Sequence, residues 1–313
     1  MLISCAGAAL FMLLLSRAHG VSALVVITFM TGLFTAMYGP AASALIADLV
    51  PPALRVRAFS CQRLAINFGF AAGMATAGFM ARHSFAALFI ADAATTIILG
   101  LTVLFGLKSR PRTVTAGNGG WAHALKHMRG NAPFVLATFA SLLIGIVFWQ
   151  MSSSYGLQAT EGAGLDERAY GLLMALNGIL IVFLELPLTS YTRRFHPAHA
   201  MAAGYAVIGL GMGLNALGAS LPMLLISMVV FTAGEMVALP VANSYIAGLA
   251  PDEMRGRYQG VSSISWSCAT MTGPSLGIAL WQFSPAMLWT ATLVASATAA
   301  VLMLASRRFA AEG

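Results

Sequence analysis

Residues 40–57 read PAASALIADLVPPALRVR, and residues 240–257 read PVANSYIAGLAPDEMRGR. At a constant offset of 200 and without a gap, positions 40–73 share nine identities in 34 positions with 240–273. They are Pro40/Pro240, Ala42/Ala242, Ile46/Ile246, Ala47/Ala247, Leu49/Leu249, Pro51/Pro251, Arg55/Arg255, Arg57/Arg257 and Gly73/Gly273. The register runs through the end of one apolar stretch, a loop bearing Pro and Arg, and the start of the next stretch. A unit of helix, loop and helix is written twice.

The solvent of these segments follows from composition. Hydrophobic residues make up 59% of the chain and charged residues 9%, against about a quarter charged in an ordinary soluble domain. So few charges cannot cover a water-exposed surface, and the bilayer is the expected solvent. The net charge of +7 sits in short clusters between apolar runs, the pattern of membrane topology rather than of a nucleic-acid-binding face. Cys5, Cys61 and Cys268 all fall in apolar segments. They read as buried small hydrophobes, not as disulfides or metal ligands.

Ten stretches approach the roughly 20 apolar residues a span requires. They lie at roughly 1–17, 22–48, 59–80, 84–107, 134–154, 168–190, 200–218, 221–248, 258–281 and 285–305. The first has no basic leader and no soluble domain after it, so it reads as a span rather than a signal peptide. Two linkers are long: 108–133, and the polar, glycine-containing 155–167 (YGLQATEGAGLDE). With a cytoplasmic N-terminus, 14 of the 17 Lys and Arg residues fall on the cytoplasmic side, including Arg55, Arg57, Arg63, Lys108, Arg110, Arg112, Lys126, Arg129, Arg193, Arg194, Arg255 and Arg257. Only Arg17, Arg82 and Arg168 fall outside. Both termini are therefore expected to be cytoplasmic. Both copies of the repeat then share one orientation, as in carriers whose halves are related by an axis along the membrane normal.

Segment 121–130, WAHALKHMRG, places Trp121, Leu125 and Met128 on one helical stripe. It reads either as an interfacial amphipathic helix or as a solvated linker. His123 and His127 are four residues apart, but no carboxylate or Cys stands near them, so no metal site is expected.

The second copy has two helices ahead of residue 201, whereas nothing precedes Met1, its counterpart. The expected plan is therefore twelve helices in two halves of six, with the first two lacking. Without them one wall of a central cavity would stand open, so full activity is expected to need them.

Two bundles joined in this way resemble the major facilitator superfamily, and within it the drug:proton antiporters of the multidrug efflux branch. That resemblance covers the whole chain as helices three to twelve and implies an all-α polytopic fold of two bundles (4 + 6). Residues 1–107 would form the incomplete N-terminal bundle, 108–133 a cytoplasmic linker, and 134–313 the C-terminal bundle. The family's antiporter motif GxxxGPxxGG is matched by Gly69, Gly73 and Gly78, with Met74 and Ala77 replacing a Pro and a Gly. Gly273, Pro274 and Gly277 keep the GPxxG core in the other half. Glycines four apart let helices approach closely. The family's glycine-aspartate-arginine loop would precede Met1, and Thr28 stands where many antiporters carry an arginine before Gly32.

Ionisable groups within spans are functional candidates by default. Glu235, Glu185, Asp48 and Asp92 are the candidates for proton coupling. Glu235 lies about 21 Å into its helix, near the midplane, on a helix the resemblance places at the central cavity. Glu185 is expected at the inner mouth of the cavity or paired with Arg193 or Arg194. Asp92 falls on a helix the family places at the periphery, and Asp48 at a helix end as a gate or ion pair. The resemblance also implies substrate contacts from Tyr38, Trp149, Gln150, Asn177, Asn243, Tyr245 and Trp266. Arg55, Arg57, Arg255 and Arg257 read as topology anchors that latch the cytoplasmic face.

No phosphate loop, metal-ligand spacing or nucleophile–base pair marks an enzyme. The expectation is a monomeric inner-membrane carrier that exchanges protons for small amphipathic compounds. It would need no cofactor, draw on the proton gradient, and have lipid, substrate and protons as its partners. A metabolite or nutrient carrier and a non-transporting remnant are the rival readings.

Overall fold

A computed structural model describes residues 1–81, 85–106 and 120–311. Arg82, Lys108, Arg110, Arg112 and linker residues 108–119 lie outside the described residues. Among the described residues the chain is helical, with no strand. The helices are α1 (Leu2–Leu15), α2 (Val21–Ala36), α3 (Tyr38–Leu49), α4 (Pro52–Ala81), α5 (Phe85–Gly106), α6 (Trp121–Gly130), α7 (Ala132–Phe148), α8 (Ser154–Leu157), α9 (Glu167–Thr192), α10 (Pro197–Gly213), α11 (Leu221–Leu249), α12 (Arg255–Phe283) and α13 (Pro285–Ala311).

Seven helical stretches among the described residues are long and apolar enough to cross a bilayer: Val21–Leu49, Ala86–Gly106, Ala132–Gly162, Ala169–Thr192, Pro197–Leu217, Leu221–Leu249 and Pro285–Arg307. The apolar α1 is shorter, at 14 residues. Helices α4 and α12 have the length, 30 and 29 residues, but both open on arginine-rich, polar turns. The repeat register is visible in the helix ends. Val21–Leu49 and Leu221–Leu249 have the same 29-residue length at an offset of 200, and α5 and α13 begin at 85 and 285. In the first copy the helix breaks at Met37. Pro40 cannot donate to the carbonyl of Ala36, but the matching Pro240 lies inside the unbroken α11, so the proline alone does not set the break.

The chain divides into two compact units, Met1–Leu45 with Gly69–Gly117 and Ile46–Phe68 with Asn118–Gly313. In the first, α1 packs on α2 and α5. Gly7 faces the Phe34 ring, Phe11 stacks on Phe34 at 5.5 Å between centroids, and Ser4 Oγ donates to the Phe34 carbonyl at 2.7 Å.

The second unit holds the larger core, around Ile144, Tyr155, Tyr205, Met212, Phe231 and Trp289. Its tightest crossing joins α10 to α11. A Cβ on Gly234 would lie 2.5 Å from the Ile208 amide nitrogen and 2.6 Å from the Gly204 carbonyl oxygen, and one on Gly211 would collide with the Phe231 backbone. Small residues let two backbones touch where lipid supplies no hydrophobic driving force.

The stretch after α7 departs from the expected loop. Trp149–Ser152 is a 3-10 turn, α8 follows, and Gln158–Gly162 is a π-helical turn, so the extended linker shrinks to 163–166. The buried polar residues stay helical here because they find partners. Tyr155 Oη donates to the Leu224 carbonyl at 2.7 Å. Gln158 donates to the Asn215 carbonyl at 3.2 Å and accepts from Trp281 Nε1 at 3.0 Å. The cysteines also depart from expectation. Cys5 is buried, but Cys61 and Cys268 are exposed, because an apolar segment in lipid need not turn its small residues inward.

His196 caps α10, its Nδ1 accepting from the Ala198 amide at 3.2 Å. An imidazole accepts there only when neutral. Burial, then Arg307 and His199, hold its pKa below the ordinary imidazole value. The cap is therefore intact above about pH 6.5 and is lost as pH falls through the lowered folded value. Protection of the α10 amides against hydrogen exchange is expected to fall by about 0.5–1 kcal/mol on acidification. His196→Asn should keep the cap and abolish the pH dependence. An unchanged acid response in that variant would show that the cap is not its source.

Candidate functional site

The four carboxylates singled out in the sequence divide sharply by environment. Asp92 is exposed on α5. Asp48 lies at the end of α3 and pairs with Arg255 Nη1 at 2.9 Å, both side chains partly open. Glu185 and Glu235 are buried, 0% and 3% exposed, and they meet at one guanidinium.

That guanidinium belongs to Arg63 on α4. Its Nε donates to Glu185 Oε1 and Oε2 at 3.0 and 3.1 Å, and its Nη2 to Oε2 at 2.9 Å. Its Nη1 reaches Glu235 Oε1 at 3.2 Å. The Arg63 side chain is 12% exposed. The sequence counts Arg63 on the cytoplasmic side and leaves Glu185 either at the inner mouth of the cavity or paired with Arg193 or Arg194. The pairing is corrected: Glu185 meets Arg63, while Arg193 and Arg194 are exposed and Arg194 lies over the Tyr191 ring. Arg63 stands eight residues beyond Arg55, about 12 Å further along the helix, and that distance carries it into the apolar layer.

Neighbouring contacts fix this geometry. Ser60 and Thr189 hydroxyls meet at 2.8 Å, one turn from the Arg63–Glu185 fork. Contacts 60–189 and 63–185 thus run as an antiparallel zip between α4 and α9. Asn67 Nδ2 donates back to the Arg63 carbonyl at 2.9 Å. On the other side, Asn177 Nδ2 donates to Glu235 Oε2 and to Thr232 Oγ1, each at 2.9 Å, and Thr232 donates to the Met228 carbonyl at 2.7 Å.

The two carboxylates are held differently. Glu185 receives the planar fork, the geometry that suits a guanidinium and a carboxylate best. Glu235 receives one longer contact from Arg63 and one neutral amide. With both acids ionised, two negative charges share one positive charge in a low-dielectric setting, where an uncompensated charge is costly. The cluster has room for one further positive charge, and Glu235 is the member with the looser ties.

Other candidates have different surroundings. Asn177, read as a substrate contact, holds Glu235 instead. Gln150 is buried and its polar atoms are engaged. Its Nε2 donates to the Ile146 and Gly273 carbonyls at 2.9 and 2.8 Å, and its Oε1 accepts from Ser154 at 2.9 Å. Tyr245 Oη meets Ser306 Oγ at 3.2 Å. Trp149 and Trp266 flank Phe148, at 5.9 and 5.4 Å between centroids. Tyr38 and Asn243 are half-buried. Gly277 seats Gln150, and a Cβ on Gly273 would lie 3.3 Å from Trp149 Cβ, so Gly273-Pro274-Ser275-Leu276-Gly277 lines the α7–α12 contact. A Cβ on Gly69 or Gly73 meets nothing within 4 Å, so among the described residues those two make no such close approach. The surroundings of Gly78 lie outside the described residues. Arg55 is buried and donates from Nε to the Val50 carbonyl at 3.2 Å. Arg57 is exposed, and Arg257 lies over the Trp121 ring. Among the described residues no three His, Cys, Asp or Glu side chains gather as a metal site.

The family model described as Major Facilitator Superfamily matches the chain over residues 1–166 and again over 153–311. Among curated proteins, the chain is 28% identical over 269 residues to the uncharacterized MFS-type transporter YttB of Bacillus subtilis (strain 168), covering 83% of the chain and 66% of that protein. It is 23% identical over 283 residues to a Na(+), Li(+), K(+)/H(+) antiporter of Planococcus maritimus, covering 80% and 66%. The chain thus spans just under two thirds of the length of these relatives. Among solved structures, the human organic anion transporter MFSD10 superposes with a TM-score of 0.72 at 16% identity, over 97% of this chain and 75% of that one.

Proposed function

The chain belongs to the Major Facilitator Superfamily, and on that premise we propose that it is a proton-coupled secondary transporter exporting small amphipathic cations by alternating access. It sits in the inner membrane as ten spans (4 + 6) with both termini cytoplasmic, as a monomer, and draws on the proton gradient without a cofactor. The observation that carries this reading is the cluster of two buried carboxylates on one arginine. A proton and a monovalent organic cation each supply the one missing positive charge, so they compete for the site, and competition for one site is what exchange requires. Glu235 is the exchanging carboxylate, Glu185 anchors Arg63, and Asn177 orients Glu235.

A second reading, exchange of an inorganic monovalent cation for a proton, is favoured by the similarity to the Na(+), Li(+), K(+)/H(+) antiporter of Planococcus maritimus. The same cluster would serve it, with Na⁺ in place of the organic ion.

The test is proton release on binding, read with a pH dye from the purified, detergent-solubilised chain. Addition of ethidium is expected to release about one proton per bound cation, because one site cannot hold both charges. Glu235→Gln should bind at least tenfold more weakly and release none. Release triggered by Na⁺ but not ethidium would favour the second reading. Undiminished release from Glu235→Gln would sink the assignment of that residue.

A further inference from the structure

Helix α6 is a packed element, not a solvated tether. Ala124 and Met128 are 0% and 3% exposed and pack with Phe134, Ile246, Ala250 and Tyr258. His127 Nδ1 meets Tyr258 Oη at 2.8 Å, and Asn131 Nδ2 donates to the Leu249 carbonyl at 3.2 Å. These contacts tie α6 to the end of α11 and the start of α12. Only Asn131 separates it from α7, the head of the Ala132–Gly162 span. Covalent linkage and packing therefore hold α6 at the level where spans end, along the membrane–water boundary.

Around the helix, at 3.6 residues per turn, the side chains fall in a definite sequence. The buried pair Ala124 and Met128 is followed by Trp121 and Leu125, which are 58% and 42% exposed. Next come Arg129 and Lys126. Beyond them opens a cleft of about 570 Å³ lined by His123, Lys126, His127, Gly130 and Asn131. Arg257 of α12 sits over the Trp121 ring, 5.9 Å from its centroid. Segment 121–130 holds no acidic residue.

From this order (apolar, then cationic, then polar and concave) we propose that α6 binds an anionic glycerophospholipid. Its acyl chain lies on Trp121 and Leu125, its phosphate between Arg129 and Lys126, and its headgroup in the cleft beside His123 and Asn131. The order repeats that of the lipid itself from tail to headgroup. Charge complementarity selects an acidic lipid over a zwitterionic one.

The test uses the full chain in mild detergent, with dioleoyl phosphatidylglycerol, dioleoyl phosphatidylcholine and inorganic phosphate as separate probes. Retained lipid is counted by native mass spectrometry across a salt series. Wild type is expected to retain phosphatidylglycerol in preference to phosphatidylcholine, with phosphate unable to displace it at equal concentration. At about 1 kcal/mol per basic residue near an acidic surface, Lys126→Gln with Arg129→Gln should weaken retention about thirty-fold. Trp121→Ala should weaken it for both lipids. Helicity read by circular dichroism should stay unchanged, since these side chains are exposed. Equal retention of the two lipids by wild type, equal retention of phosphatidylglycerol by wild type and the double variant, or displacement by phosphate alone would each overturn the proposal.

Discussion

Arg63→Met is expected to abolish exchange and to lower the unfolding free energy by about 3–5 kcal/mol, the cost of removing one partner from a buried ion cluster. Methionine keeps the length and apolar bulk of the arginine stem, so the loss reports on charge rather than on a void. Glu185 and Glu235, both essentially unexposed, would be left facing each other without their shared cation. A thermal scan of the detergent-solubilised chain reads the destabilisation directly. The companion experiment removes the stranded charges as well. Arg63→Met combined with Glu185→Gln and Glu235→Gln should recover most of the stability, because a buried ion cluster replaced as a whole is often neutral. It should recover none of the proton release. Arg63→Lys should fall between these, since an ammonium cannot present the fork that Glu185 receives. Parental stability in the single Arg63→Met variant would mean that the carboxylates are not desolvated together, and the site would lose its rationale.

Gly211→Val is expected to be worse for assembly than any polar substitution in the second unit. The added Cβ would collide with the Phe231 backbone, and Gly204, two turns away on α10, and Gly234, about one turn from Phe231 on α11, hold the same crossing. Backbone cannot change rotamer, so α10 and α11 must move apart. Overpacking of this kind costs about 1–3 kcal/mol where side chains can adjust, and more where they cannot. The valine variant should insert into the membrane and yet run as an aggregate on size exclusion, whereas Gly211→Ala should be a weaker form of the same defect. A monodisperse valine variant with parental melting would show that the crossing is looser than the backbone contact implies.

The contrast between Glu235 and Arg63 shows how far a sequence of this kind can be read. An acid within an apolar run is conspicuous, so Glu185 and Glu235 stand out unaided. Arg63 does not, because it follows Arg55 and Arg57 in a basic stretch that topology alone explains. Telling an anchor from a partner takes the distance along α4 and the three-dimensional position of α9, and only the second is absent from the sequence. Asn177 was legible as a polar residue in a span, but its attachment to Glu235 across 58 positions was not. The 155–162 stretch reads as loop in the sequence because its buried polar residues are satisfied by tertiary contacts with the 214–217 turn, α11 and α12, which no local pattern encodes. The repeat was the most legible feature, since its register is written in identities and reappears in helix ends at the same offset.

The Arg63 cluster also imposes an order on biogenesis. Its partners are 122 and 172 residues further along the chain. At about 5–20 residues per second, a ribosome makes α4 on the order of ten seconds before α9 exists. Through that interval Arg63 lacks its two carboxylates, and an arginine within a helix leaving the translocon costs up to about 2.5–3.5 kcal/mol. The nascent helix must therefore stay beside water or the insertion machinery, and it completes its descent into lipid only when Glu185 arrives.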